Sequence, residues 1–251
     1  MRQGMRQGMR QKWRKGMGGW RILLLISLSL VGCVTQRTYV GTGKPVSDTV
    51  FNGLAAAKQR VQLALMYLHK GNNEQAKYNL DKAFLYAPKL EAVNLALAYY
   101  HQSVGDKVHT KQAFQDALDA DDVSGDSFNN FGVFLCQQGQ YTEAEKQFLK
   151  AVSELSYTEF SATYENLGIC SRKAGKLEKA RNYFHKALRY NPRRKTSLLE
   201  LVEIEVELGD FVAAHEQLTR YYKVLPRTTE SLALGSKIGQ GLDESVATST
   251  F

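Results

Sequence analysis

Amphipathic helical segments, separated at regular intervals by glycine, make up most of the chain. Apolar residues recur at three- and four-residue spacing on both sides of each glycine, as expected for helices with one buried face. These glycines recur every 34 or 36 residues, at Gly71, Gly105, Gly139, Gly175 and Gly209. Because each one lies between two helical segments, the pattern predicts a helix–turn–helix unit that occurs five times.

Placing each glycine at position 15 of its unit divides the sequence into repeats. Their bounds are 57–90, 91–124, 125–158, 161–194 and 195–228. Position 8 is small in four repeats (Ala64, Ala98, Gly132, Gly168), and position 24 is bulky in all five (Leu80, Phe114, Phe148, Phe184, Leu218). This alternation lets paired helices approach closely and fills the space between them, and it is the pattern of the tetratricopeptide repeat.

The predicted fold is therefore all-α: a tetratricopeptide-repeat superhelical solenoid with five repeats and a terminal helix. The repeat domain covers 57–240, its terminal helix covers 229–240, and 241–251 is predicted to be a disordered tail. Thr110, Val202 and Tyr221 depart from the repeat pattern, which makes the packing of repeats two and five less regular. We expect the second-helix aromatic residues to be core, including Tyr78, Phe84, Phe114, Phe148, Tyr183 and Phe184.

The positive charge of the chain is concentrated at its N-terminus. The net charge is +8, but residues 1–32 carry seven Lys and Arg and no Asp or Glu, which leaves the remainder nearly neutral. A basic segment followed by the apolar run from Ile22 to Leu30 predicts a secretory signal peptide over 1–32. Translation can begin at Met1, Met5, Met9 or Met17. A nucleic-acid partner is not expected, because the basic residues belong to this leader.

Cys33 directly follows the apolar run. Leu30-Val31-Gly32-Cys33 resembles the bacterial lipobox, in which the cysteine is acylated and becomes the mature N-terminus. Val34 follows it, and a residue other than Asp at this place implies release to the outer membrane. We therefore expect a lipid anchor on Cys33, a flexible tether over 33–56, and an outer-membrane location facing the periplasm.

Cys136 and Cys170 lie in the first helices of repeats three and four. An exported protein meets an oxidising compartment, so two thiols on adjacent helices can be bridged if their Cα atoms are close enough. Two buried, unpaired thiols fit the spacing equally well. The spacing alone does not choose between these interpretations.

A concave groove lined by the first helices is the candidate binding site. We expect Asn129, Asn130, Glu165, Asn166 and Arg172 to contact a partner there. Amide side chains offer both donors and acceptors, so a ladder of Asn can hold an extended peptide backbone. The alternative interpretation is that these Asn residues are simply solvated.

Motifs of catalysis and cofactor binding are not found in the sequence. The five histidines occupy different repeat positions without HExxH spacing, and neither a phosphate-binding loop nor a G-x-S-x-G elbow occurs. The sequence therefore predicts a protein-binding scaffold and not an enzyme, with no metal, no cofactor and no small-molecule substrate.

Two central stretches carry a family resemblance. The segment from Asn129 to Gly139, NNFGVFLCQQG, and the segment from Tyr164 to Cys170, YENLGIC, resemble the type IV pilus biogenesis lipoproteins PilW and PilF. The resemblance implies a pilotin, which binds the pilus secretin and promotes its localisation or multimerisation, or stabilises the pilus. It also implies a disulfide between Cys136 and Cys170.

Two other functions suit the same solenoid and anchor. One is an outer-membrane lipoprotein that activates a peptidoglycan enzyme, and the other is an accessory factor for β-barrel assembly. Fold alone does not separate them from a pilus role.

Overall fold

The computed structural model describes residues 51–249, and this part of the chain is all-α. The predicted signal peptide, Cys33 and most of the predicted tether lie outside the described residues. Within them the helices are α1 Gly53–His69, α2 Asn73–Tyr86, α3 Glu91–Ser103, α4 Lys107–Leu118, α5 Gly125–Gln137, α6 Tyr141–Ser153, α7 Phe160–Lys173, α8 Leu177–Tyr190, α9 Lys195–Glu207, α10 Phe211–Val224 and α11 Thr229–Ser249.

The first ten helices form five antiparallel pairs, which confirms the predicted solenoid of five repeats and a terminal helix. At position 15 of every repeat the glycine has a φ between 71° and 78°, a backbone conformation that other residues rarely adopt. In the first repeat, Gly71 N donates to Leu68 O and Asn72 N donates to Tyr67 O, both at 2.9 Å. These bonds satisfy the last carbonyl groups of α1 and reverse the chain into α2.

Small and large residues are matched within each repeat. In repeats three and four position 24 is Phe and position 8 is Gly, whereas repeat two combines Phe114 with Ala98. A Cβ added to Gly132 would lie 2.8 Å from the Phe148 ring, and one added to Gly168 would lie 2.6 Å from the Phe184 ring. The absence of a side chain at position 8 therefore makes the room that the aromatic ring of the second helix fills.

The three residues that depart from the repeat pattern, Thr110, Val202 and Tyr221, are all buried. Thr110 is fully buried, and its hydroxyl donates to the carbonyl oxygen of Asp106 at 2.6 Å. Val202 belongs to the same buried cluster as Leu218, which is smaller than the Phe found at that position in the middle repeats. Tyr221 in the same cluster is 1% exposed. Repeats two and five thus retain a closed core.

The first helix begins at Gly53, four residues before the predicted start of the repeat domain at 57. The Oδ1 atom of Asn52 accepts a hydrogen bond from Ala55 N at 3.0 Å and caps the helix at Gly53. Residues 53–56 are therefore helical, and Ala57 is fully buried one residue later. The predicted boundary at 57 is wrong because a capping residue was available upstream.

The terminal helix is also longer than predicted. It continues from 240 through Ser249, so the predicted disordered tail is wrong for the described residues 241–249. Leu242 packs against the buried cluster of repeats four and five, as does the fully enclosed Ile238. Gly241 lies directly on the Phe211 ring, where an added Cβ would collide with the aromatic carbons. These contacts to the last repeat keep the helix intact beyond its glycines.

The predicted aromatic core is correct for most of the second helices and wrong for two residues. Phe114, Phe148 and Phe184 are at most 1% exposed, whereas Tyr78 and Phe84 are 52% and 47% exposed. Positions 22 and 28, which Tyr78 and Phe84 occupy, lie away from the face of α2 that contacts α1. Position 24 lies on that face, so its residue is buried in every repeat.

Within residues 51–249, no helix combines the length and the apolar composition that crossing a lipid bilayer requires.

Candidate partner-binding groove

The first helices α1, α3, α5, α7 and α9 carry the candidate site. We define the groove face as positions 2, 5, 6, 9, 12 and 13 of these helices. Hydrogen bonds connect this face from one repeat to the next: Gln102 Nε2 donates to Gln137 Oε1 at 3.1 Å, and Asn166 Nδ2 donates to Asn129 Oδ1 at 3.0 Å. These bonds connect the groove faces of repeats two, three and four.

The centre of the groove face is built from amides. Asn129 Oδ1 accepts from Asn166 Nδ2 and from Thr163 Oγ1, and Asn129 Nδ2 lies 3.5 Å from Asn130 Oδ1. Within residues 51–249, Asn130 Nδ2 and Asn166 Oδ1 have no hydrogen-bond partner, and both side chains are half-buried. The structure therefore brings three of the predicted contact residues together and leaves one donor and one acceptor available to a ligand.

Glu165 is buried between two repeats, whereas the sequence predicted it to contact a partner in the groove. It is 7% exposed, and its carboxylate accepts from Arg194 Nη2 at 3.0 Å, from Ser197 N at 3.1 Å and from Ser197 Oγ at 2.7 Å. A buried carboxylate with these bonds holds α7 to the start of α9. The prediction that Glu165 contacts a partner is not supported by this position, because its oxygens already face the next repeat.

Glu91 forms the same kind of contact between repeats two and three. Its Oε1 atom accepts from Ser124 N at 2.8 Å, Ser124 Oγ at 2.7 Å and Ser127 Oγ at 2.6 Å. Ser124 precedes α5, so the carboxylate lies at the N-terminus of that helix, where negative charge is stabilised. Twice in this chain, therefore, a carboxylate of one repeat accepts hydrogen bonds at the start of the first helix of the next repeat.

Arg172 is surrounded by three carboxylates of α9. Its Nη1 atom donates to Glu200 at 2.5 Å and to Glu203 at 2.7 Å, and Nη2 donates to Glu207. Burial by itself would lower the pKa of Arg172, but these hydrogen bonds raise it above its ordinary value. One cation among three anions leaves this end of the groove face acidic, so Arg172 is not the free basic contact that the sequence suggested.

The three glutamates were not among the predicted contact residues. They occupy positions 6, 9 and 13 of repeat five, which are groove-face positions. They could have been predicted from the sequence. The groove-face positions that gave the predicted contact residues in repeats three and four are occupied by these glutamates in repeat five.

The opposite end of the groove face is apolar. Leu65 in α1 is 38% exposed, and Leu95 and Tyr99 of α3 are half-buried. Burial raises the pKa of Tyr99 to about 12, with the carboxylates of Asp126 and Glu91 adding to the effect. Tyr99 is therefore uncharged at neutral pH. From repeat one to repeat five the groove face changes from apolar to amide to acidic.

A disulfide joins α5 to α7 beside the amides. Cys136 and Cys170 have their Cα atoms 5.8 Å apart, and both are buried. The bond crosses between the first helices of repeats three and four, where Asn129 and Asn166 also meet. It thus holds together the two helices that carry the predicted contact residues.

Two histidines from different helices, His101 and His109, lie close together at the turn between α3 and α4. The rings of His101 and His109 stack at 5.2 Å, and the donor atoms of these residues and of Asp106 lie within 4.8 Å of one another. The histidines look scattered along the sequence because they occupy different repeat positions. The turn at Gly105 nevertheless brings the end of α3 to the start of α4.

Comparisons with known proteins identify the family to which this chain belongs. Residues 124–191 and 171–227 match tetratricopeptide repeat models. Over 224 residues, the chain is 30% identical to the type IV pilus assembly protein PilF of Pseudomonas aeruginosa, covering 89% of this chain and 86% of that protein. The chain belongs to the PilF family. A protein of Haemophilus influenzae is 37% identical to it over 132 residues, which are 53% of this chain and 74% of the relative.

Two solved structures of the PilF and PilW group have the same fold. PilF of Pseudomonas aeruginosa superposes with a TM-score of 0.69 at 29% identity, covering 80% of this chain and 90% of that structure. PilW, a widely conserved type IV pilus biogenesis factor, gives a TM-score of 0.66 at 26% identity, with 76% and 88% covered. The resemblance to the PilF and PilW family is thereby confirmed over most of the chain.

Proposed function

We propose that this PilF-family protein is a pilotin: a lipid-anchored scaffold at the outer membrane that binds a segment of the type IV pilus secretin and promotes its localisation or multimerisation. The observation that carries the proposal is the 30% identity to a type IV pilus assembly protein over 89% of the chain. Tetratricopeptide repeats supply a surface for binding another protein, which suits this role.

The groove face supports binding of an extended peptide. Asn130 and Asn166 offer an amide donor and an amide acceptor at its centre, and both groups can pair with a peptide backbone. Leu65, Leu95 and Tyr99 offer apolar surface at one end for side chains of the bound segment. The disulfide and the contacts of Asn129 keep this surface rigid before binding, which lowers the entropy cost of association.

The lipobox supports an anchoring role. Acylation of Cys33 would attach the solenoid to the membrane in which the secretin must insert. A tether between anchor and groove raises the effective concentration of the bound secretin segment at that membrane. This mechanism involves binding and positioning and requires no chemical turnover.

Detergent-resistant secretin multimers in outer-membrane fractions provide the test. Cells that lack this gene should keep secretin monomer and lose the multimer, and expression of the wild-type gene should restore it. An unchanged amount of multimer would overturn the pilotin proposal.

Two variants separate the anchor from the groove. Cys33→Ser should lose both palmitate labelling and outer-membrane attachment, whereas Asn130→Ala combined with Asn166→Ala should remain attached and restore less multimer. Gln115→Ala is the matched control, because Gln115 is an exposed amide on the second helix α4. Equal restoration by the double variant and the Gln115 control would exclude the amides from the binding surface.

A further inference from the structure

The turn between α3 and α4 brings together three groups that bind metals. His101 lies in the last turn of α3, Asp106 caps α4, and His109 lies in the first turn of α4. The Oδ2 atom of Asp106 is 2.6 Å from Nδ1 of His109 and 3.9 Å from Nδ1 of His101. The two imidazoles and the carboxylate therefore converge on one point.

The capping of α4 by Asp106 does not by itself require two histidines nearby. Asp210 caps α10 in repeat five by accepting from Ala213 N at 2.9 Å, and Asn72 caps α2 by accepting from Gln75 N at 3.0 Å. Neither of these repeats has a histidine at the positions of His101 and His109. Because the same cap forms without imidazoles elsewhere, the pair of rings in repeat two is an addition to it.

The donor set fits a borderline divalent transition-metal ion. Two imidazole nitrogens and one carboxylate oxygen are common Zn²⁺ ligands, with bonds of about 2.0–2.2 Å and a water in the fourth position. A tetrahedron of such bonds separates its donors by about 3.4 Å. The donor atoms here lie within 4.8 Å of one another, and the His109 side chain is 67% exposed, so a small rotation of its ring can exchange the hydrogen bond to Asp106 for a bond to a metal ion.

Asp106 is already oriented for this role. Its Oδ1 atom accepts the backbone N–H of His109 at 3.1 Å, so the cap holds the carboxylate with Oδ2 toward the rings. Such outer contacts fix the direction of a metal ligand. The neighbouring cation Lys77 is paired with Asp81 at 2.5 Å, which reduces its repulsion of a bound metal ion.

We propose that His101, Asp106 and His109 form a surface site for one divalent transition-metal ion, with Zn²⁺ as its best-fitting occupant. A metal bound there links the end of α3 to the start of α4 across the turn at Gly105. It would therefore stabilise the folded form of repeat two, since binding to the native state alone shifts the folding equilibrium.

Calorimetric titration of the purified full-length protein with ZnCl₂ tests the site. The wild type should bind one equivalent in a saturable manner, and His101→Ala and His109→Ala should each weaken binding at least tenfold. Asp106→Asn should also weaken it while keeping the fold, because Asn is an equally good helix cap. His215→Ala is the matched control, since His215 is an exposed histidine on a second helix and should bind as the wild type does.

A thermal melt distinguishes the site from loose surface binding. Zn²⁺ should raise the melting temperature of the wild type and of the His215 variant, and should not raise that of the His101 or His109 variants. The proposal is overturned by the absence of saturable binding, by equal affinity in the wild type and the His101 and His109 variants, or by an equal loss in the His215 variant.

Discussion

Repeats three and four are joined by covalent, amide and ionic contacts, whereas repeats one and two are joined mainly by apolar packing. Between the middle repeats lie the Cys136–Cys170 disulfide, the amide contact of Asn129 and the bond from Lys179 to Glu145. Between the first two repeats, small and branched apolar residues such as Val61 and Val93 share one buried cluster.

The contrast shows that one backbone unit can be stacked in two ways. Apolar packing follows from the repeat pattern and is present in every repeat. Hydrogen bonds and ion pairs also join repeats two and three through Glu91, and repeats four and five through Glu165 and Arg172. Among the described residues, the disulfide is present only between repeats three and four, whose first helices carry the predicted contact residues. Four predictions test this contrast, in order of decreasing effect.

Removing an aromatic residue should have a large effect at a buried position of repeat four and a small effect at an exposed position of repeat one. Phe184→Ala should lower the free energy of unfolding by about 3–5 kcal/mol, because the fully buried ring fills the space above Gly168. Phe84→Ala in repeat one should change it by about 0.5 kcal/mol or less, because that ring is half exposed. Urea denaturation followed by circular dichroism measures both, and equal losses would contradict the packing described.

Removing the disulfide should have the next largest effect. The Cys136→Ala, Cys170→Ala double variant should lose about 2–4 kcal/mol of unfolding free energy, because the unfolded chain is no longer constrained. A reductant should reduce the stability of the wild type by a similar amount and leave the double variant unchanged. A further loss when reductant is added to the double variant would show that another bond is responsible.

Filling the space at position 8 should cost less. Gly168→Ala should destabilise by about 1–3 kcal/mol, since the new methyl group would lie against the Phe184 ring. Gly239→Ala is the control: it lies in helix α11 with no atom near the added Cβ, and it should stabilise by about 0.5–1 kcal/mol. Thermal denaturation of the two variants should therefore show shifts of opposite sign, and a shift of the same sign would argue against overpacking at position 8.

The ionic contact between the middle repeats should contribute least. Glu145 accepts from Lys179 at 2.7 Å and from Tyr183 at 2.6 Å. Burial alone would raise the pKa of Glu145, but these hydrogen bonds hold it below its ordinary value. Glu145→Gln should cost at most about 1 kcal/mol at neutral pH, as is usual for partly exposed pairs.

The pH dependence of this contact has a definite sign. Because the pKa of Glu145 is lower in the folded state than in the unfolded state, its contribution is complete above the unfolded value and disappears as the pH falls through the folded value. Denaturation curves of the wild type and the Glu145 variant should therefore converge in acid. Glu143→Gln, which removes an exposed pair with Lys146, is the matched control and should cost less than Glu145→Gln at neutral pH.

The sequence predicted those features that depend on one repeat alone. Helix pairing, the turn glycines and the match between Gly132 and Phe148 all arise within 34 residues, so a repeated pattern reveals them. The three departures were also informative. Thr110 replaces a small residue with one whose hydroxyl bonds to its own helix, and this leaves the packing closed.

Features that depend on two repeats were harder to predict. Glu165 is buried because Ser197 of the next repeat donates to it, and nothing at position 5 by itself indicates this. A signal existed at position 3, where repeats three, four and five have the buried hydroxyl residues Ser127, Thr163 and Ser197. Each of them bonds to a first-helix residue of the preceding repeat.

The end of the array was misjudged for a related reason. A polar chain end frays unless it packs against the fold, so the sequence predicted an end of the helix at 240. Gly241 is instead the residue that lets α11 approach the Phe211 ring of the last repeat. Its role follows from a contact with α10 and not from helix propensity.

The terminal helix determines what the end of the repeat array exposes. Ile238 and Leu242 cover the buried cluster of α9 and α10, which is the surface on which a sixth repeat would stack. The apolar surface at this end of the repeats is therefore covered by the chain itself and is not exposed for stacking. The terminal helix thus closes the apolar end of the stack, as a capping repeat does in other solenoids.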